Sequence, residues 1–278
     1  MENEINELLK ASFLNIDKPS GPTSHDVCEI VKKILNIPKN SHSGTLDPKV
    51  TGVLGMGIGK AARLLRFLPS DKVYVGVMRI HEDIPEEKLR EVIKEFTGKI
   101  RQTPPVKSRV KREEREREVY SFEILEKNKQ DVLFKVHCEA GTYIRKLIHD
   151  LGQKLGVGAH MTELRRTRAG IFSEENSLTL YQLDEIVKKN ELSKHLIPIN
   201  IITKYLPSFE VKKENLKELW NGSPLYPEFL ENKEDINRLE KLKKDRFIAL
   251  THDDNLIEVA KLILEGRKIA VPETVIKD

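Results

Sequence analysis

The spacing of apolar residues alternates along this chain between the period of a helix and the period of a strand. After Thr23 or Ser24, either of which can cap a helix, apolar side chains recur at helical spacing. From Val73 to Ile80, side chains on the two faces alternate, which is typical of a strand, and Tyr74 lies near its start. The chain is therefore predicted to fold as a mixed α/β (α+β) protein.

Further elements follow from the same patterns. Strands are predicted at 13–16, 119–125 and 132–138, and helices at 60–68, 86–96 and from Gly141-Thr142 to near Gly156. The composition changes after about Leu206, where short strands at 247–250, 258–264 and 268–271 surround a charged stretch at 232–244. We expect a first domain over residues 1–205, with an N-terminal extension at 1–12, and a small β-rich domain over 206–278.

Several classes of protein are disfavoured by the composition. No apolar run approaches the ~20 residues that cross a bilayer, and the acidic residues 1–10 lack the features of a secretory leader. Cys28 and Cys138 match no metal-binding or redox spacing, so reduced thiols are expected. These observations predict a cytoplasmic protein that does not act at a membrane.

The stretch from His42 to Gly52 contains one carboxylate, Asp47, between glycines, a proline and small hydroxyl residues. No acidic neighbour could share a proton with Asp47, and no Cys or His cluster suggests a metal ion. If this loop carries chemistry, a single aspartate must do most of it. Asp-Pro is also a common turn dipeptide, and His42 could be an ordinary surface histidine. Gly44 and Gly52, which admit close approach of the backbone, favour more than a turn.

Two further residues have both a structural and a functional interpretation. Tyr74 could be a half-buried core residue, or it could offer a flat face on which a base stacks. Arg145 could be an exposed surface residue. Beside an aspartate, however, its charge would keep the carboxylate ionised and oriented.

Two basic blocks raise the expectation of a nucleic-acid partner. The first runs from Lys107 to Arg112 and includes Arg109 and Lys111, next to Pro104-Pro105, and is followed by mixed charges typical of a solvated face. The second contains Arg165, Arg166 and Arg168 with no acid among them. In a chain whose net charge is only +4, two such blocks favour contact with a phosphate polymer.

Six motifs occur in order between Phe13 and Phe172. They are NIDKPSGPTSH at 15–25, HSGTLDPKVTG at 42–52, KVY at 72–74, QTPP at 102–105, AGTYIR at 140–145 and GVGAHMTELRRTR at 156–168. In these motifs the chain resembles the TruB/dyskerin family of RNA pseudouridine synthases, most closely its archaeal and eukaryotic branch. The resemblance implies the pseudouridine synthase fold, with a central mixed and mainly antiparallel sheet, followed here by a PUA-like domain.

The resemblance also implies roles for individual residues. Asp47 falls on the catalytic aspartate, Arg145 on the arginine paired with it, and Tyr74 on the tyrosine that stacks on the flipped uracil. The remaining implied positions support the site: His42 in the space vacated by the base, Lys18 and Pro19 beneath the active-site loop, Leu164 as an apolar wall, and Tyr143 beside Arg145. Two departures from the family pattern, Ser41 and Gly55-Met56-Gly57, predict looser support of the loop.

The activity implied is the isomerisation of uridine to pseudouridine without a cofactor or a metal ion. The implied substrates are the T-loop uridine of tRNA, rRNA selected by an H/ACA guide RNA together with small partner proteins, or both. A non-catalytic RNA-binding scaffold is the alternative, and a metal-dependent nucleic-acid hydrolase is a third possibility.

Overall fold

The structure, a computed structural model, describes residues 2–103, 111 and 113–277. The α-helices are α1 (Glu2–Lys10), α2 (Ser24–Ile34), α3 (Glu86–Glu95), α4 (Ile144–Leu155), α5 (Leu180–Lys188), α6 (Leu216–Trp220) and α7 (Glu234–Glu240). The strands are β1 (Ala11–Lys18), β2 (Asn40–His42), β3 (Thr51–Gly59), β4 (Lys72–Ile80), β5 (Gly98–Gln102), β6 (Arg115–Asn128), β7 (Asp131–Cys138), β8 (Ala159–Ala169), β9 (Phe172–Ser173), β10 (Ile197–Pro198), β11 (Ser208–Glu210), β12 (Phe247–His252), β13 (Asn255–Glu265) and β14 (Lys268–Val275). None of the helices in this described part is long and apolar enough to cross a membrane.

A ten-stranded sheet forms the first part of the molecule, with the strand order β10-β1-β3-β8-β4-β7-β6-β5 and with β2 and β9 beside β3 and β8. Its described strand pairs are antiparallel, except that β3 and β8 run parallel through Thr51 and Gly52 opposite Arg165 and Arg166. The predicted mixed, mainly antiparallel sheet is thus confirmed. Because β8 lies between β3 and β4, it joins the strand that follows Asp47 to the strand that carries Tyr74.

Helix α4 covers one face of this sheet with an apolar stripe. Its buried residues, Ile144, Leu147, Ile148, Leu151 and Leu155, recur at helical spacing, and Gly152 lets the helix approach Ala159 of β8 closely. The helix starts at Ile144, slightly later than predicted. It ends at Gly156, whose left-handed backbone closes the last turn.

The predicted helix at 60–68 is wrong. The segment instead forms two short 3₁₀ turns, Lys60–Arg63 and Leu65–Phe67. The buried residues of this segment are Ala61, Leu64, Leu65, Phe67 and Leu68. Four of them also follow the spacing of an α-helical face, so the apolar pattern predicted a helical segment but could not show that its turns are 3₁₀.

A second, four-stranded sheet contains β11-β12-β13-β14, with β11 parallel to β12. It confirms the strands predicted after residue 246, and the charged stretch at 232–244 holds the short helix α7. The two sheets share one apolar cluster. Phe67 packs edge-on against Phe247 with ring centroids 5.0 Å apart, and Val53 and Leu256 belong to the same cluster.

Candidate active site

Asp47 lies in the loop that joins β2 to β3, and Arg145 reaches it from the first turn of α4. The Arg145 guanidinium forms an ion pair with the Asp47 carboxylate. Each side chain is about half exposed, 53% for Arg145 and 52% for Asp47. The structure therefore brings together two residues that are 98 positions apart in the sequence, at a place that solvent and a large ligand can reach.

The loop around Asp47 is held from below by Lys18, whose side chain is fully buried. Its ammonium donates hydrogen bonds to the carbonyl oxygens of Pro48 at 3.0 Å, Val50 at 2.9 Å and Pro19 at 2.8 Å. Burial, and next the nearby charge of Arg166, lower the pKa of Lys18. Lys18 thus has the loop contact that the family resemblance implied.

Two further hydrogen bonds hold the loop from the same side. The hydroxyl of Ser24, the first residue of α2, accepts a hydrogen bond from the Leu46 N–H at 2.8 Å. The Gly21 N–H donates to the Pro48 carbonyl at 2.9 Å. The residues on both sides of Asp47 are therefore bonded to the β1–α2 segment, which leaves the Asp47 side chain directed toward Arg145.

Tyr74 lies under the loop and is only 6% exposed. It shares an apolar cluster with Leu46 and Val50 of the loop, and Leu164 of β8 packs against that cluster. Burial raises the pKa of the Tyr74 hydroxyl, while the charge of Arg166 opposes the rise. Of the two interpretations of Tyr74, the structure shows the buried core position.

His42 is the last residue of β2 and pairs with Met56 of β3. It is partly buried, and its Nδ1 has no hydrogen-bond partner within the described residues. Burial, followed by the charges of Arg166 and His25, lowers the pKa of His42. The imidazole is therefore biased toward its neutral form beside the loop.

Tyr143 caps α4 next to the Ile144-Arg145 pair. The side-chain amide of the buried Gln102 forms two hydrogen bonds with the backbone of Tyr143. Oε1 accepts from the Tyr143 N–H at 3.0 Å, and Nε2 donates to the Tyr143 carbonyl at 3.2 Å. Gln102 belongs to the QTPP motif, but its sequence context predicted no role for it. It fixes the start of the helix that presents Arg145.

The structure corrects the prediction that Arg166, in the second basic block, contacts RNA phosphates; for Arg165 and Arg168, which are partly exposed, RNA contact stays a prediction. Arg166 is fully buried, because it belongs to the central strand β8. Arg165 binds Asp17 through two hydrogen bonds and also binds Glu174. Arg168 binds Asp71 at 2.7 Å. These arginines hold the sheet and its loops together.

The first basic block is only partly described. Lys107 and Arg109 lie outside the described residues. Lys111 is exposed and forms an ion pair with Glu113. A role of this block in contacting RNA stays a prediction.

The expectation of loose support at Gly55-Met56-Gly57 is wrong. Met56 is fully buried. A Cβ atom on Gly55 would lie 2.2 Å from the Phe172 ring, and one on Gly57 would lie 2.6 Å from the Ala61 carbonyl oxygen. Glycine is required at both positions because neighbouring groups occupy the space, so β3 is tightly packed where it supports the loop.

The described residues contain one group with the composition of a metal site, Glu210, His252 and Asp253, in the second sheet. Both Glu210 carboxylate oxygens already accept hydrogen bonds, from the Thr251 hydroxyl and the Asp253 N–H. At Asp47 the arrangement is different: a single carboxylate faces an arginine above a buried tyrosine.

Comparisons with known proteins agree with this geometry. Residues 32–144 match the family model of the TruB family pseudouridylate synthase N-terminal domain. Residues 145–203 match the tRNA pseudouridylate synthase B C-terminal domain, and residues 1–28 match the DKCLD domain.

Curated relatives and solved structures extend the similarity over nearly the whole chain. A probable tRNA pseudouridine synthase B of Methanopyrus kandleri is 45% identical over 232 residues, 81% of this chain and 69% of the relative. That of Pyrococcus horikoshii is 42% identical over 278 aligned residues, 96% of this chain and 82% of the relative. A chain in a Cbf5-Nop10-Gar1 complex matches with a TM-score of 0.85 and 40% identity, covering 98% of this chain and 86% of that one. A chain in an H/ACA RNP bound to a substrate RNA containing 2′-deoxyuridine matches with a TM-score of 0.82 and 38% identity, covering 99% and 87%.

Proposed function

This chain belongs to the TruB family of pseudouridine synthases, and from that premise we propose that it isomerises uridine to pseudouridine in RNA, with Asp47 as the catalytic carboxylate. The observation that carries the proposal is the Asp47–Arg145 ion pair on a loop fastened by Lys18 and placed over Tyr74. The reaction consumes no co-reactant. The N1–C1′ bond breaks, a C5–C1′ bond forms, and the proton lost from C5 is balanced by the one gained at N1.

Asp47 and Arg145 have different roles in this proposal. Arg145 holds the carboxylate in one orientation, since charge-assisted hydrogen bonds between a guanidinium and a carboxylate are strong and directional. Asp47 attacks the target nucleotide while the base is detached and turned. The half-exposed position of both side chains leaves an open approach for a nucleotide that has been flipped out of its RNA.

Tyr74 and the side chains around it receive the base. Flipping a nucleotide costs a few kcal/mol, which stacking on an aromatic ring offsets in part. Because Tyr74 is buried beside Leu46, Val50 and Leu164, the base gains access to its ring when these side chains move aside. His42 then occupies the space that the base leaves, and Tyr143, fixed by Gln102, borders the pocket beside Arg145.

The proposed substrates are tRNA and, with an H/ACA guide RNA and small partner proteins, rRNA. The matches to tRNA pseudouridine synthase B relatives and to chains of Cbf5-Nop10-Gar1 and H/ACA RNP complexes support both. In this proposal residues 1–205 form the catalytic domain, with the extension at 1–12, and residues 206–278 form a PUA-like domain that binds RNA. The protein acts in the cytoplasm.

The test compares the wild-type chain with Asp47→Asn and Asp47→Ala. Purified protein is incubated with a tRNA transcript and with a guide–target RNA pair, each with and without partner proteins, and pseudouridine is detected by its specific chemistry. Both variants should fold and bind RNA but lose at least about 10³-fold in turnover, as expected when the attacking group is removed.

Asp131→Asn is the matched control, because Asp131 forms an exposed ion pair with Arg79 far along the sheet. It should keep wild-type turnover. Substantial product from Asp47→Ala would exclude Asp47 as the catalytic group. A wild-type chain that binds both RNAs and modifies neither would favour the scaffold.

A further inference from the structure

Arg166 occupies a central position between the two parts of the proposed site. Its backbone lies on β8 opposite Gly52 of β3 on one side and Tyr74 of β4 on the other. Gly52 follows the Asp47 loop, so the backbone of Arg166 lies between the end of that loop and the strand of the tyrosine.

The Arg166 side chain forms hydrogen bonds at both ends of the segment that contains Asp47. Its Nε donates to the Val53 carbonyl at 2.7 Å, and its Nη2 donates to the Gly44 carbonyl at 3.0 Å. Gly44 precedes Asp47 by three residues and Val53 follows it by six. One planar guanidinium thus sets the distance between the two ends of the loop.

The third guanidinium nitrogen has no such bond. Nη1 is enclosed, and the structure gives it no hydrogen-bond partner among the described residues. Arg166 is paired with Tyr74 across β8 and β4, and its charge lowers the pKa of the phenol against the effect of burial. Arg166 therefore acts on both the loop and the tyrosine.

This placement is unfavourable for folding. Arg166 is fully buried, and within the described part of the chain it forms no ion pair with a carboxylate. A buried charge without a partner of opposite sign destabilises a fold unless its hydrogen bonds compensate. A leucine or methionine would fill the same space in the sheet without this penalty.

We propose that Arg166 is a positioning residue of the isomerase, whose guanidinium fixes the Tyr74 phenol relative to the loop that carries Asp47. This rests on the proposed function and deepens it, since it states how the base-stacking residue and the attacking residue are kept in register. Arg166 does not touch the RNA; it acts through Tyr74, Gly44 and Val53.

The first test is Arg166→Lys, which keeps a positive charge but lacks the planar group whose Nε and Nη2 bond Val53 and Gly44. Turnover should fall by about 10²-fold, the loss expected when reacting groups are misplaced by about 1 Å. The KM and the Kd for RNA should stay within about twofold, because the residue does not contact RNA. A fall in RNA affinity that accounts for the whole loss, or an unchanged kcat, overturns the proposal.

Met78→Ala separates positioning from general stability. Met78 is fully buried on the strand of Tyr74 and pairs with Met161 on the strand of Arg166, but it has no polar contact with the site. The variant should lower the melting temperature and leave kcat unchanged below that temperature. If it reduces kcat as strongly as Arg166→Lys does, the effect of Arg166 is only structural and the proposal fails.

A second readout does not depend on activity. Fluorotyrosine placed at position 74 reports ionisation of the phenol by ¹⁹F NMR, and its midpoint should be higher in Arg166→Met, which removes the positive charge, than in the wild-type chain. Equal midpoints overturn the link between Arg166 and Tyr74. A wild-type chain that makes no pseudouridine from either RNA would instead overturn the proposed function, so the two failures are distinguishable.

Gly52→Ala serves if Arg166→Lys does not fold. A Cβ atom there would lie 2.2 Å from the Arg166 carbonyl oxygen, so the backbone of Arg166 must shift relative to the Asp47 loop while its charge stays. We expect about a tenfold loss of kcat with unchanged RNA affinity. A wild-type kcat in this variant would also overturn the proposal.

Discussion

The ammonium of Lys18 donates a hydrogen bond to the carbonyl oxygen of Pro48, the residue directly after Asp47. Its other hydrogen bonds go to Val50 and Pro19, so its three donors meet three carbonyl oxygens. A buried lysine satisfied in this way is bonded entirely to backbone. Lys18 therefore helps to set the position of Asp47 through the backbone of the loop, without contacting the Asp47 side chain itself.

Lys18→Met should destabilise the chain and reduce its turnover. The variant keeps the volume of the side chain but removes the donor of the Pro19 and Val50 carbonyl oxygens, at about 1–3 kcal/mol each, while the Pro48 carbonyl keeps its hydrogen bond from the Gly21 N–H. Urea unfolding measures the loss, and pseudouridine formation under native conditions measures the effect on the loop. Lys33→Met, at an exposed position of α2, is the control and should change both by little. Equal stability of the two variants would contradict the role of Lys18.

Arg145→Ala should separate activity from stability. The ion pair with Asp47 is half exposed, and such pairs contribute about 0–1 kcal/mol to folding. Turnover should nevertheless fall by at least about 10²-fold, because Asp47 loses the group that orients it. Thermal unfolding and single-turnover kinetics check the two effects. Arg79→Ala, which breaks the exposed pair with Asp131, is the control; equal turnover in the two variants would exclude a role for Arg145 in orientation.

Gly52→Ala should cost more stability than Gly98→Ala. Both glycines have a positive φ, +102° and +93°, so both variants carry the backbone strain of about 1–3 kcal/mol. A Cβ at Gly98 would meet nothing within 4 Å, whereas one at Gly52 would lie 2.2 Å from the Arg166 carbonyl oxygen. Comparing the free energies of unfolding isolates the close contact. If the two losses are the same, the approach of β3 to β8 does not require glycine.

The stability of the chain should fall as the pH rises toward 8, because of Glu258. This residue is 1% exposed on β13, and burial raises its pKa from 4.5 to about 8. Between these values the native chain holds a proton that the unfolded chain has lost, so stability present below about pH 4.5 is lost progressively up to about pH 8.

Glu258→Gln should remove this dependence, since the amide is neutral throughout. Thermal unfolding at pH 5 and pH 8 should show a smaller difference in the variant than in the wild-type chain. Glu265→Gln, at the exposed end of the same strand, is the control. A pH dependence that survives Glu258→Gln would assign it to another group.

Charge reversal at Lys107, Arg109 and Lys111 tests the first basic block. We expect weaker RNA binding and a flatter dependence of log Kd on log salt, by about 0.7–0.9 for each phosphate that the block neutralises. The control reverses Lys188, Lys189 and Lys194, which changes the net charge of the chain equally. An unchanged salt slope in the first variant would count against the block, as would the same change in the control.

The sequence predicted the strand of Tyr74 and the apolar face of α4 because both depend on local periodicity. It could not show that Arg166 is buried. A charged residue in a basic block is expected at the surface, and only the position of β8 between two other strands places it inside. Gly55 and Gly57 were misinterpreted for a related reason. The groups that require their small size, Phe172 and Ala61, are fixed by tertiary packing.

The Asp47–Arg145 pair also could not be predicted from local sequence. Nothing local connects a loop after β2 with the first turn of α4, and their pairing was anticipated only through the family resemblance. Their contact depends on Gln102 and Lys18, which position the two segments independently.

The cluster that joins the two sheets has a consequence for experiments with shortened chains. Removing residues 206–278 would keep Asp47, Tyr74 and Arg145 but would uncover Phe67 and its neighbours, which now pack against Phe247 and Leu256. Inactivity of such a fragment would report a damaged core as readily as a failure to bind RNA. The second sheet therefore completes part of the apolar core of the first part of the molecule.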